Sequence, residues 1–201
     1  MTDCGCSPPS LETPSQKQAL WIALVLNAIM FAIEVYSGIR GNSTSLLADG
    51  LDMLSDAAVY AIALIAIGRS SSFKANAALM SGFALLILGC GLLLEVLRRF
   101  TYGAAPDGPW MIIVAAIALL VNVIVLRLLS RQRSGEVHLR AAWIFTRADV
   151  VANVAVILSG IAVLLTGYRY FDLVVGAAIG TFVIREAWEI ISEAKDAQAR
   201  A

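Results

Sequence analysis

Three aspartates fall inside one otherwise apolar stretch. They are Asp49, Asp52 and Asp56, in the run SLLADGLDMLSD from Ser45 to Asp56. Spacings of three and four place them on one face of a helix, as an acidic stripe. Carboxylates gathered so closely repel one another, and are tolerated only with a bound cation, a proton or a basic partner. A second run, HLRAAWIFTRADVVAN over 138–153, holds Asp149 and Asn153 four apart on one face, with Phe145 one turn before Asp149. If Asp149 and Asn153 faced Asp52 and Asp56, four oxygen ligands plus water would suit a hard cation. Asp49 ranks lower as a ligand, because it lies near a helix end where capping or headgroup contact explains it equally well.

These residues sit in a chain of 201 residues that is 59% hydrophobic and 15% charged, with mean hydropathy +0.80. A soluble domain is nearer 45–50% apolar and about 25% charged. A disordered chain, a collagen and a disulfide-rich secreted scaffold are excluded, and a soluble domain is disfavoured. Net charge is zero, so no global basic field attracts nucleic acid, which is not expected as a partner. A membrane span takes about 20 mainly apolar residues at 1.5 Å rise. Six segments qualify: 19–38, 46–68, 75–96, 109–129, 141–165 and 171–191. Short links join them. The expected fold is therefore an all-α membrane protein, a single bundle of six transmembrane helices.

Residues 1–18 read as a disordered polar tail rather than a signal peptide, since Lys17 is their only basic side chain. With both termini cytoplasmic, the inner side holds most of the Lys and Arg. The outer side holds Arg40, Arg98, Arg99 and Arg169, and this bias favours that orientation. Residues 195–201 form a short cytoplasmic tail, with no further domain expected after it. Cys4 and Cys6 make a Cys-x-Cys in the N-terminal tail. There they would be reduced thiols, read either as a soft-metal capture point or as part of a plain mobile tail.

Other acidic and basic groups lie within or at the edges of the spans: Glu34, Glu95, Arg147, Arg185, Glu186 and Glu189. Charge at bilayer depth costs roughly 2.5–3.5 kcal/mol per group on insertion scales, so such groups face the bundle interior. Arg147 lies about 200° round the helix from Asp149. A carboxylate on another helix, Glu34 or Glu95, is its expected partner; the alternative is that Arg147 reaches the site, where it and Asp52, Asp56 and Asp149 would together balance one divalent ion. Gly176 and Gly180 form a Gly-xxx-Gly, read as packing within one bundle or as a dimer face. A homodimer is left open, and membrane lipid is the other expected partner. Asn27 and Asn122 are expected to bond between helices. With no Gly-rich phosphate loop, Ser/His/Asp set or redox motif, the chain does not read as an enzyme.

The chain resembles the cation diffusion facilitator (cation efflux) family, over roughly 18–194. The run from Ser45 to Asp56 is similar to the family's second-helix motif, and that from His138 to Asp149 to its fifth-helix run. Glu34, LLLEVLRR over 92–99 and YFDLVVGAAIGTFVIREAWEII over 170–191 are similar to matching helices. The resemblance implies that residues 19–194 form a cation efflux transmembrane domain. It also implies that Asp52, Asp56 and Asp149 are metal ligands, with Phe145 where the family usually carries histidine. The substrate would be a divalent metal cation (Zn, Mn, Fe, Co or Cd) exported from the cytoplasm, with protons as counter-ion. The protein would be multi-pass in the cell membrane, the inner membrane if bacterial. A non-transporting metal-sensing or scaffold protein that kept the fold is the alternative.

Overall fold

The computed structural model describes residues 14–65, 70–130 and 137–199, without the side chains of residues 16, 71 and 137–147. Among them are six helices and no strand: α1 (Pro14–Arg40), α2 (Thr44–Ile65), α3 (Ser71–Tyr102), α4 (Gly108–Ser130), α5 (Val137–Thr166) and α6 (Tyr170–Ala199). Each contains one of the apolar segments expected from the sequence, except that α2 ends at Ile65 and residues 66–68 of the second segment lie outside the described residues. The helices outrun those segments where the neighbouring residues also favour helix. Thus α1 begins at Pro14, a residue pre-set for the first helical position, and α6 continues through residues 192–199, a Glu-, Ala- and Lys-containing stretch of good helix formers. Helix ends carry recognisable stops. The Ser70 hydroxyl accepts from the Phe73 N–H at the start of α3. Gly103, at φ 93°, ends α3 by donating its N–H to the Arg99 carbonyl.

Four helices are long and apolar enough to cross a bilayer, over Lys17–Arg40, Ser72–Tyr102, Gly108–Ser130 and Ala148–Thr166. The remaining two, α2 and α6, are the helices that carry the most charge within their apolar stretches: Asp49, Asp52 and Asp56 on α2, and Asp172, Arg185, Glu186 and Glu189 on α6.

Burial explains how α2 tolerates this. Helix α2 touches every other helix, and its only exposed large hydrophobic side chain is Ile65. The exposed apolar side chains belong chiefly to the others. Examples are Ile29 and Ile33 on α1, Ile87 and Leu94 on α3, Ile117 and Leu120 on α4, and Leu158 and Leu164 on α5. Acidic groups inside and Leu, Ile and Phe outside is the reverse of a soluble protein. It is what a hydrocarbon solvent demands, because polar groups must then be satisfied within the protein.

Close approach onto α2 depends on glycine. A Cβ on Gly176 of α6 would come within 2.8 Å of the Thr44 carbonyl carbon, and one on Gly50 of α2 within 3.2 Å of the Val35 backbone nitrogen on α1. Gly180 meets Leu92 of α3, so both members of the Gly-xxx-Gly are used inside this chain. Asn27 departs from expectation. Its amide donates back to Ala23 of its own helix at 2.9 Å, the usual i−4 partner within reach of a short polar side chain. Asn122 is buried with neither amide atom bonded, so among the described residues neither asparagine makes the interhelical bond expected of it.

A candidate cation site between α2 and α5

Helix α2 presents its acidic stripe to three neighbours. Asp52 and Asp56 point toward α5, where the Asp149 carboxyl lies within hydrogen-bonding reach of both. Asp49, one turn earlier, reaches the Glu34 carboxyl of α1 instead. All five side chains are buried, with Asp56 the most exposed at 6%. The stripe is therefore split into two acidic groups by the helices facing it.

Donors are scarce around these oxygens. Asp56 accepts from the Tyr60 hydroxyl at 3.0 Å, one turn along α2. Asp49 accepts a long bond, 3.4 Å, from the Asn153 amide. One oxygen each of Asp49, Asp52 and Asp149, and both of Glu34, have no donor among the described residues. Buried polar atoms are normally bonded, and an orphaned set calls for an unseen ion, water or proton. Among the described residues no three His, Cys, Asp or Glu side chains stand as a ready metal cage. Contact is pairwise, with Asp149 as the shared member.

Asn153 lies one turn beyond Asp149 and donates to the Asp149 carbonyl at 2.8 Å as well as to Asp49. Its own amide oxygen is buried and has no donor among the described residues. The structure thus sets Asn153 at the junction of the two groups, nearer Asp49 than its spacing alone indicated. Sequence reasoning missed three participants. Glu34 was noted as a buried charge but not matched with Asp49. Glu186 of α6 adds a further carboxyl near Asp52 and Asp56, beside Ser55. The signal for Tyr60 was its position four after Asp56, which places its hydroxyl over that carboxyl.

Other expectations resolve elsewhere. Glu95 is taken by Arg98 and Arg99 at 2.7 Å each, its natural partners at three and four residues' spacing. The side chains of Phe145 and Arg147, and the Cys4–Cys6 tail, lie outside the described residues.

The end of α2 is held from another helix. Asp172 of α6, 1% exposed, accepts from the Thr44 N–H at 2.7 Å and the Ser45 N–H at 3.0 Å. It also accepts the Ser43, Thr44 and Ser45 hydroxyls at 2.6–2.7 Å. A carboxylate at a helix N-terminus satisfies orphan N–H groups and complements the helix dipole. Together with Gly176, it fixes how α6 sits on α2, and therefore where Glu186 stands relative to the acidic groups.

Comparison with known proteins supplies a context for this geometry. Residues 20–197 match the family described as the cation efflux transmembrane domain. The metal cation efflux system protein CzcD of Cupriavidus metallidurans is 28% identical over 187 residues, covering 87% of this chain and 59% of its own length. The zinc transporter ZitB of Pectobacterium atrosepticum is 28% identical over 196 residues, covering 90% and 61%. A cadmium, cobalt and zinc/H(+)-K(+) antiporter of Bacillus velezensis is 24% identical over 193 residues, covering 89% and 62%. The chain spans about three fifths of the length of these relatives.

Proposed function

The chain belongs to the cation efflux family, and on that premise we propose that it carries a divalent metal cation out of the cytoplasm in exchange for protons. It is a multi-pass membrane protein. In this reading all six helices cross the bilayer with both termini cytoplasmic. Helix α2 does so because its charges are turned toward the other helices rather than toward lipid. On α6 Asp172 and Glu186 are likewise buried, whereas Arg185 and Glu189, expected to face the interior, are exposed and paired with each other at 2.9 Å, one helical turn apart.

The observation that carries the proposal is Asp149 of α5 lying against both Asp52 and Asp56 of α2, in a buried setting with too few donors. Carboxylates are held there only if something positive comes to them. A divalent cation replaces part of its water shell with their oxygens, and protons compete for the same oxygens. Entry of protons then releases the metal, which is the chemical basis of an exchange. The Tyr60 hydroxyl keeps one Asp56 oxygen oriented, and Asn153 offers an amide oxygen beside Asp49 for a partly dehydrated ion. Rise along α2 puts Asp49 about 8 Å and Asp56 about 18 Å from Thr44, so the acidic groups lie at bilayer depth.

Relatives named for zinc, cadmium and cobalt set the first ions to try, with manganese and iron as the harder alternatives. The test is reconstitution in liposomes with a proton gradient and each ion in turn. Proton-driven uptake of at least one ion, lost in Asp52→Ala and Asp149→Ala, is expected. Folded protein that moves none of them overturns the proposal and favours a non-transporting sensor or scaffold.

A further inference from the structure

Helices α1 and α3 do not meet, although both pack on α2. Between them lies a cleft of about 510 Å³, within the range of small-molecule sites. Its walls are apolar: Val35 and Ile39 from α1, Leu47 and Leu51 from α2, Leu88 and Leu92 from α3. Its head is charged. Glu95 receives the Arg98 Nε and Nη2 and the Arg99 Nε, each at 2.7 Å. Two guanidiniums against one carboxylate leave one positive charge over. Arg99 is 6% exposed, and its buried Nη1 has no hydrogen-bond partner among the described residues.

A second feature concerns Gly91, which also lines the cleft. Gly82, Gly89 and Gly180 each hold a neighbouring side chain closer than 3 Å to where a Cβ would be, whereas a Cβ on Gly91 would meet nothing within 4 Å. Gly91 is therefore no helix-packing glycine. Its missing side chain leaves the cleft open about 12 Å below Arg99, by helix rise. That depth matches most of one leaflet's hydrocarbon, about 15 Å. The exposed Phe100 and Tyr102 follow Arg98 and Arg99 in the chain, at the end of α3, where aromatic residues mark the headgroup level.

We propose that this cleft binds one anionic phospholipid, its phosphate held by Arg98 and Arg99 and an acyl chain lying past Gly91 between α1 and α3. Surplus positive charge with an unsatisfied N–H selects a phosphate. An apolar channel one leaflet deep, open to the side, selects a chain attached to it. The site is separate from the acidic groups facing α5 and does not depend on what the protein transports.

The experiment is native mass spectrometry of the purified protein with phosphatidylglycerol or phosphatidylcholine of identical chains. One phosphatidylglycerol per chain should bind with about fivefold or greater preference, because its headgroup keeps the net negative charge that choline cancels in phosphatidylcholine, and one surplus arginine charge is worth about 1 kcal/mol toward an anionic lipid. Arg98→Gln with Arg99→Gln should erase the preference. Gly91→Phe should evict the lipid while leaving the unfolding temperature unchanged, and this arm decides the matter if the arginine variant does not fold. Equal binding of the two lipids, or full phosphatidylglycerol binding in Gly91→Phe, overturns the proposal. So does displacement by glycerol 3-phosphate alone, which marks a free-phosphate site. Lipid-independent cross-linking of two chains through Gly91→Cys overturns it by showing that a second copy covers the cleft.

Discussion

The Asp172 carboxylate on α6 receives the backbone N–H of Thr44 at 2.7 Å, so the cap of α2 comes from a residue 128 positions away in the chain. The helix that carries the acidic stripe is thereby fastened to the helix that carries Glu186.

Removing that cap should be costly. Asp172→Ala orphans two backbone N–H groups at a buried helix end and takes the carboxylate from three hydroxyls, leaving Thr44 only the residue 172 carbonyl at 3.3 Å and Ser43 and Ser45 only each other at 3.2 Å. A loss of about 3 kcal/mol or more is expected from unsatisfied buried donors and a missing cap. Thermal unfolding in detergent should show a clearly lowered midpoint. An unchanged midpoint would mean that the α2–α6 junction does not depend on this carboxylate.

Glycines divide the same way. Gly176→Ala places a methyl group 2.8 Å from the Thr44 carbonyl carbon, and backbone cannot step aside cheaply. Destabilisation of about 1–3 kcal/mol is expected from overpacking. Gly91→Ala meets open space, and alanine is the better helix former by about 1 kcal/mol. It should be neutral or stabilising. Unfolding midpoints of the two variants, measured side by side, should move apart.

Much of this architecture could be read from the residues, and the reasons differ by level. Apolar runs located each helix because hydrocarbon demands them. The spacing of Asp49, Asp52 and Asp56 identified one face because helical periodicity is local. Which helix meets that face is not local. Nothing in the order of residues says that α3 pairs with α6, or that Asp49 turns to Glu34 while Asp52 and Asp56 turn to Asp149. Asp172 escaped notice because an acidic residue in a first helical turn looks like an ordinary cap of its own helix. Asn27 misled because the alternative to an interhelical bond, the carbonyl one turn back, is always present.

Metal binding should weaken as pH falls. Protons and cation compete for the same carboxylate oxygens, so each proton displaced on binding makes affinity rise about tenfold per pH unit over the range in which that proton is bound without metal. Binding isotherms for zinc or cadmium at several pH values check this. Affinity that does not change with pH would remove the proton from the exchange.

Phe145 stands one turn before Asp149 on the α5 backbone, where the family resemblance leads one to expect histidine. Imidazole suits zinc, whereas a set of oxygen ligands suits harder ions. Phe145→His should therefore shift preference toward zinc over manganese, read as a changed ratio of the two dissociation constants. An unchanged ratio would place residue 145 away from the site.

The central claim is that Asp52, Asp56 and Asp149 together hold the transported cation. Calorimetric titration of zinc and of cadmium into the purified protein, unaltered and as Asp149→Asn, tests it most directly. Asparagine keeps the volume and removes the charge shared by both α2 carboxylates. The account predicts one high-affinity cation per chain in the unaltered protein. It predicts loss of about 100-fold or more in the variant, beyond the 10–100-fold typical of outer-shell changes, with an unfolding midpoint equal or higher because like-charge repulsion is relieved. Unchanged affinity in a folded Asp149→Asn protein would contradict it.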